Sequence, residues 1–168
     1  MKIIKKYIRL IDKLSEKVGS ATSWLTAMLV LVVSYDVIVR YLFEESSVGL
    51  QELEWHIFAM IFLLAAAHTL QVDEHVRVDV IFTKFSVKQK AWVDLIGSVI
   101  FLMPFCVIVI LASYGFVEIS FRVGETSPDA GGLPARYLLK AFIPLSFFLM
   151  LLQGIAIAFK SLIKIKES

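Results

Sequence analysis

Asp36 and Arg40 stand four residues apart in SYDVIVRYLF (34–43), closing a run that is otherwise apolar from about Ser20. At about 100° per residue they lie roughly 40° apart on a helix, close enough to pair. Thr22 and Thr26 fall in the same arc, so one side of this helix is polar. An acid and a base in an apolar helix support two chemistries. One is a fixed ion pair that orients packed helices. The other is an ion or proton relay. Pairing neutralises both groups and arginine does not titrate. The spacing therefore favours the structural role, with Thr26 on the same packing face.

The histidines offer less. His56 and His68 belong to one apolar run, roughly 18 Å apart along a helix axis. No other apolar run carries a histidine, so two facing ligands for a haem are not available. His75, in HVRVDV (75–80), has no metal-ligand set around it. The single cysteine, Cys106, reads as a small apolar filler. Ser146, Gln153 and Lys160 recur every seven residues in the last apolar run. An amide such as Gln153 ordinarily hydrogen-bonds another helix in this setting; contact with a substrate is the alternative. No nucleophile–base pair or phosphate loop accompanies these groups. No cofactor, metal, enzymatic activity or nucleic-acid partner is expected.

The elements that must position them are apolar helices. Of 168 residues, 58% are hydrophobic, and the mean hydropathy is +0.79. The apolar residues collect in four runs: 24–43, 55–72, 95–117 and 141–159. A helix needs about 20 such residues to cross hydrocarbon. The expectation is an all-α membrane protein, one integral domain over 1–168, with spans at about 20–43, 50–72, 87–118 and 134–160. Ser86-Val-Lys-Gln89 has capping-box spacing and predicts the start of the third helix. That helix is then longer than the bilayer is thick. Pro104 and Pro144 predict kinks in spans three and four. Pro134 suits the first turn of the fourth. Gly154, Ala158, Ala59 and Ala65–Ala67 permit close helix approach.

Residues 1–19 have their own pattern. Ile3, Ile4, Tyr7, Ile8, Ile11, Leu14 and Val18 gather on one helical face, with charged residues on the other. This predicts an amphipathic helix on the membrane surface, anchored by Lys2, Lys5, Lys6, Arg9 and Lys13; contact with a partner helix is the alternative. Thirteen of the 17 basic residues lie before span one, between spans two and three, or after span four. The positive-inside rule then puts both termini in the cytoplasm. The two short outward loops and their flanks carry Glu44, Glu45, Arg122, Glu125 and Asp129, which become a candidate docking surface only through the family resemblance given next.

Two blocks carry a family resemblance. In the block spanning 40–80, Arg40-Tyr41 closes span one, Glu52 and Glu54-Trp55 open span two, and His75-Val-Arg77-Val-Asp79 follows it. The second block is SPDAGGLPARYLLKAFIPLSFFLMLLQGIA, 127–156. Together they resemble the small, Q-type (DctQ-like) membrane subunit of TRAP transporters, the tripartite ATP-independent periplasmic carriers. The resemblance implies a location in the bacterial inner membrane and two protein partners. One is a large membrane subunit on a separate polypeptide. The other is a periplasmic substrate-binding protein. It further implies sodium-coupled uptake of organic acids such as dicarboxylates or sialic acid, with the small subunit as scaffold. Two other classes compete: a self-sufficient four-helix proton-coupled carrier, and the membrane anchor of a respiratory enzyme.

Overall fold

The computed structural model describes residues 2–72, 82 and 84–167. The HVRVDV segment, with His75, Arg77 and Asp79, lies outside the described residues. Four helices account for most of the rest: α1 (Lys2–Phe43), α2 (Val48–Gln71), α3 (Val87–Arg122) and α4 (Arg136–Glu167). All four are long and apolar enough to cross a membrane. Among the described residues there is no strand. The expected all-α, four-span class is therefore the observed one.

Local chemistry sets the ends. α1 stops where Glu44 adopts a left-handed φ of 56°, and Ser47 caps α2 by accepting from the Leu50 amide at 3.4 Å. The capping box at α3 is complete: Gln89 N donates to Ser86 Oγ at 3.3 Å and Ser86 N to Gln89 Oε1 at 2.8 Å. At the far end of α3, Gly124 takes φ 59°. Its N–H donates to the Phe121 carbonyl at 3.1 Å, and Glu125 N to Ser120 O at 3.0 Å. This Schellman closure needs a residue without a Cβ penalty at position 124. α4 begins at Arg136, after Ala135 at φ 61°. Pro134 thus precedes the helix by two residues and is outside its first turn.

Pro104 acts inside α3 as a change of helix type. Gly97–Leu102 is π-helical, and Met103 N–H reaches back to Ser98 O. A proline lacks the N–H that would bond the carbonyl four residues earlier, and its ring crowds that carbonyl. Widening the preceding turn relieves both problems. The widened turn faces α4, where Gly154 admits Leu102: a Cβ at Gly154 would stand 2.9 Å from Leu102 Cδ2. α4 remains one helix through Pro144.

The expected boundary near residue 19 is not a break. α1 runs through it for 42 residues, and the amphipathic segment and the first span are one helix. Gly19 is instead a point of close approach, where an added Cβ would meet the His68 ring at 2.5 Å. α4 is the central helix and contacts all the others, while α2 packs between α1 and α4. The buried positions are mostly small or polar: Ala67, Ala91, Ala156, Ala158, Ser98, Ser146 and Ser161. Large apolar side chains point outward, Trp24, Leu31, Phe62 and Leu111 each more than two-thirds exposed. Seams of small residues with bulky ones outside are what a lipid solvent requires, because helices gain nothing there by hiding leucine from hydrocarbon.

Candidate interaction sites

Polar side chains tie the helices together at three depths. At the end that holds both termini, Gln153 is fully buried on α4. Its Oε1 accepts from Ser15 Oγ at 3.0 Å, and its Nε2 donates to Asp12 Oδ1 at 3.2 Å. Lys160 Nζ pairs with the same Asp12 oxygen at 2.7 Å. Tyr7 donates to the Leu152 carbonyl at 3.1 Å and meets Phe159 edge-on at 5.9 Å. Gln153 thus performs the helix-to-helix bonding expected of it, and its amide is engaged within the chain. Tyr7 and Ser15 are roughly 12 Å apart along α1, yet both reach the Leu152–Gln153 turn. The N-terminal part of α1 therefore packs on α4 over residues 152–160. The stripe that faces α4 includes Tyr7, Ile11 and Ser15, so the partner-helix alternative for residues 1–19 is realised within this chain.

At mid-depth, Ser146 Oγ donates to the Leu63 carbonyl at 2.5 Å, joining α4 to α2. At the opposite end, Glu52 is 4% exposed in the first turns of α2. It accepts from Ser127 Oγ at 2.6 Å, Leu133 N at 2.6 Å and Arg136 Nη2 at 2.7 Å. Both carboxylate oxygens are satisfied, one by a backbone amide of the 123–135 loop. Ser127 N donates to Leu133 O and Arg136 N to Glu125 O, which closes the loop on itself. The Arg136 guanidinium also lies 5.7 Å over the Trp55 ring.

The sequence-expected residues fall into two groups. Asp36 is 2% exposed and paired with Arg40, which is 46% exposed. The pair thus forms, with its acid inside and its base at the surface. Thr22 and Thr26 donate to carbonyls one turn back in α1, at 2.8 and 3.1 Å, so neither hydroxyl reaches another helix. His56 Nδ1 lies 2.5 Å from the Glu52 carbonyl and His68 Nδ1 3.3 Å from Gln71 Oε1, both within α2. Cys106 is buried.

On the α1–α2 and α3–α4 loops, Glu44, Glu45 and Asp129 are exposed. Arg122 is exposed and paired with Glu118 at 2.5 Å. Glu125 is half-buried and paired with Lys140, whose ammonium sits 4.0 Å over the Phe116 ring. The Lys140 ammonium holds the Glu125 carboxyl below its ordinary 4.5, with Arg136 adding a smaller pull. Glu125 is thus a fastening of the loop more than a free charge on it. Lys2, Lys5, Lys6, Arg9 and Lys13 are all exposed along α1.

The Glu52 network is the feature that sequence reasoning missed as a site. A signal was present: an acid in the first turns of an apolar helix with no lysine or arginine three or four positions away. Such a group needs a partner from elsewhere. A groove of about 500 Å³ runs along α2, lined by Phe58, Phe62, Ala65, Ala66 and Thr69 among others. Its one hydroxyl, on Thr69, donates to Ala65 O at 3.1 Å. The groove presents no charge to an anion.

No curated protein matches the chain. A family model does, over residues 10–164, and its description is tripartite ATP-independent periplasmic transporters, DctQ component. With four spanning helices and a match over nearly all its length, the chain belongs to the DctQ family, the small component of TRAP transporters.

Proposed function

We propose that this small TRAP component is the static scaffold of a sodium-coupled, binding-protein-dependent carrier for organic acids. It holds a separate large membrane subunit in place in the bacterial inner membrane, with both termini cytoplasmic. Its outer loops, through Glu44, Glu45, Arg122, Glu125 and Asp129, meet the periplasmic binding protein. The observation that carries the scaffold reading is the set of ties at three depths. Glu52–Arg136, Ser146–Leu63 and Gln153–Asp12 join α1, α2 and α4 from one end to the other. A frame against which another domain slides has to resist internal shear, and buried polar bonds at several depths provide that resistance. The charge available for a substrate supports the same reading. Asp36 is already paired with Arg40, and the α2 groove is apolar.

Reconstitution tests this. The chain is placed in proteoliposomes alone, with the large subunit, and with the large subunit plus binding protein, under an inward sodium gradient. Uptake of labelled dicarboxylate or sialic acid is expected only in the complete system. Uptake by the chain alone would favour the self-sufficient carrier. A Soret band in the purified chain would favour the respiratory anchor.

A further inference from the structure

Residues 2–17 present more than one face. The stripe with Tyr7, Ile11 and Ser15 is covered by α4. A second apolar stripe is not: Ile3 is 84% exposed, Leu10 65% and Leu14 38%. On a helix wheel these three fall within about 40° of one another. Immediately beside them, over about a further 80°, come Lys17, Lys6, Lys13, Lys2 and Arg9. All five cations are exposed. The acids Asp12 and Glu16 lie beyond that arc, and Asp12 is paired with Lys160. Lys5 sits among the acids and outside the cationic arc. An uncovered apolar strip edged on one side by five exposed cations, none of them in an ion pair among the described residues, is the pattern of a helix seated in a charged interface.

Depth agrees with this. Ser15 meets Gln153, which lies roughly 25 Å along α4 from Arg136. Arg136 marks one end of the bundle, and the hydrocarbon core is about 30 Å thick. Tyr7 meets Phe159, roughly 35 Å along α4 from Arg136, so residues 2–14 reach the headgroup level at the end of the bundle opposite Arg136.

We propose that this cation-edged strip binds the headgroups of anionic phospholipid, with Lys6, Arg9, Lys13 and Lys17 on the phosphates and Leu10 and Leu14 in the acyl boundary. The proposal deepens the scaffold reading: one face of the N-terminal segment is fastened to α4 and another to lipid. It depends on the chain being membrane-embedded and is independent of sodium coupling or substrate.

Native mass spectrometry of the delipidated full-length chain in neutral detergent tests it, titrating phosphatidylglycerol against phosphatidylcholine. The quadruple change Lys6→Gln, Arg9→Gln, Lys13→Gln, Lys17→Gln is compared with a control of equal charge, Lys84→Gln, Lys88→Gln, Lys164→Gln, Lys166→Gln. Each cation near an anionic surface contributes a several-fold preference, so phosphatidylglycerol should bind the native chain about tenfold more tightly or better. The first variant should lose most of that preference and the control should keep it. Lysine-to-arginine changes at Lys6, Lys13 and Lys17 should also keep it. No preference in the native chain, or equal losses in both quadruple variants, would overturn the proposal. Capture of the co-expressed large subunit is measured in parallel. Loss of that capture with lipid preference intact overturns the lipid assignment and makes the strip a protein interface. Loss of lipid preference with capture intact supports it.

Discussion

Glu52, in the first turns of α2, and Arg136, the first residue of α4, lie 84 positions apart and form an ion pair at 2.7 Å. The pair has the intervening loop as its third member, because the same carboxylate also receives Leu133 N and Ser127 Oγ. One side chain therefore fixes the entry of α2, the entry of α4 and the loop that reaches between them. A single acid in this arrangement fastens the α3–α4 loop to the starts of both helices.

Glu52→Ala should lower thermal stability more than Glu44→Ala or Glu45→Ala, because it leaves Arg136 and the Leu133 amide without their acceptor. Glu52→Gln should be intermediate, since it keeps an acceptor and loses the charge. The sharper readout is local. Hydrogen exchange at residues 127–136 should speed up in Glu52→Ala while the α1–α2 contact stays protected. Unchanged exchange in that loop would mean that its own backbone bonds hold it.

Glu125 supplies a pH dependence. Its carboxyl is held below the ordinary 4.5 chiefly by Lys140. A carboxylate whose folded-state pKa is lowered contributes stability that is fully present above the unfolded pKa. That contribution is lost as pH falls through the folded pKa. The stability difference between the native chain and Glu125→Gln should therefore be constant from about pH 8 down to about pH 5. It should shrink on further acidification. A difference that instead vanished near neutrality would place its origin in another group.

The spans and helix starts were legible because they depend on local chemistry. Four apolar runs and the Ser86–Gln89 box need no distant partner to be read. The continuity of α1 was harder to read, since an amphipathic helix and an apolar one have different solvents but the same backbone. Gly19 stands at that expected boundary, and its lack of a side chain is used to admit His68. Gln153 was legible as an interhelical donor and acceptor, but Asp12 and Ser15 as its partners were not. Glu52 and Glu125 show why. Each is an acid near a helix end in sequence, and only long-range packing decides that both are fastenings rather than free surface charge. Pro104 announced a distortion, but not that it would take the form of a π turn over Gly97–Leu102 with Leu102 seated at Gly154.

The Asp36–Arg40 pair should respond asymmetrically. Asp36 is 2% exposed and Arg40 is 46% exposed. Removing Arg40 leaves a buried carboxylate without its partner, a cost of about 1–3 kcal/mol. Removing Asp36 leaves an arginine that can snorkel to the membrane interface, at a smaller cost. Arg40→Ala should thus unfold more easily in mixed detergent than Asp36→Ala. The double change should be milder than the sum, with a coupling of about 1 kcal/mol. Strict additivity would mean that the two groups act independently.

Gly19 and His68 give a test of the α1–α2 seam. A methyl group at position 19 would sit 2.5 Å from two atoms of the His68 ring. Alanine favours the helix over glycine by about 1 kcal/mol, so in an open site Gly19→Ala would stabilise. Here the ring must move or the helices must part, and overpacking of this kind costs about 1–3 kcal/mol. Gly19→Ala should therefore be destabilising. His68→Ala removes the obstruction, and in that background Gly19→Ala should become neutral or stabilising. The sign reversal is the informative result, because helix propensity alone predicts the same benefit in both backgrounds. Unfolding of the four variants in mixed detergent reads it directly. Stabilisation by Gly19→Ala in the native background would show that α1 and α2 stand farther apart at this level than a glycine contact requires.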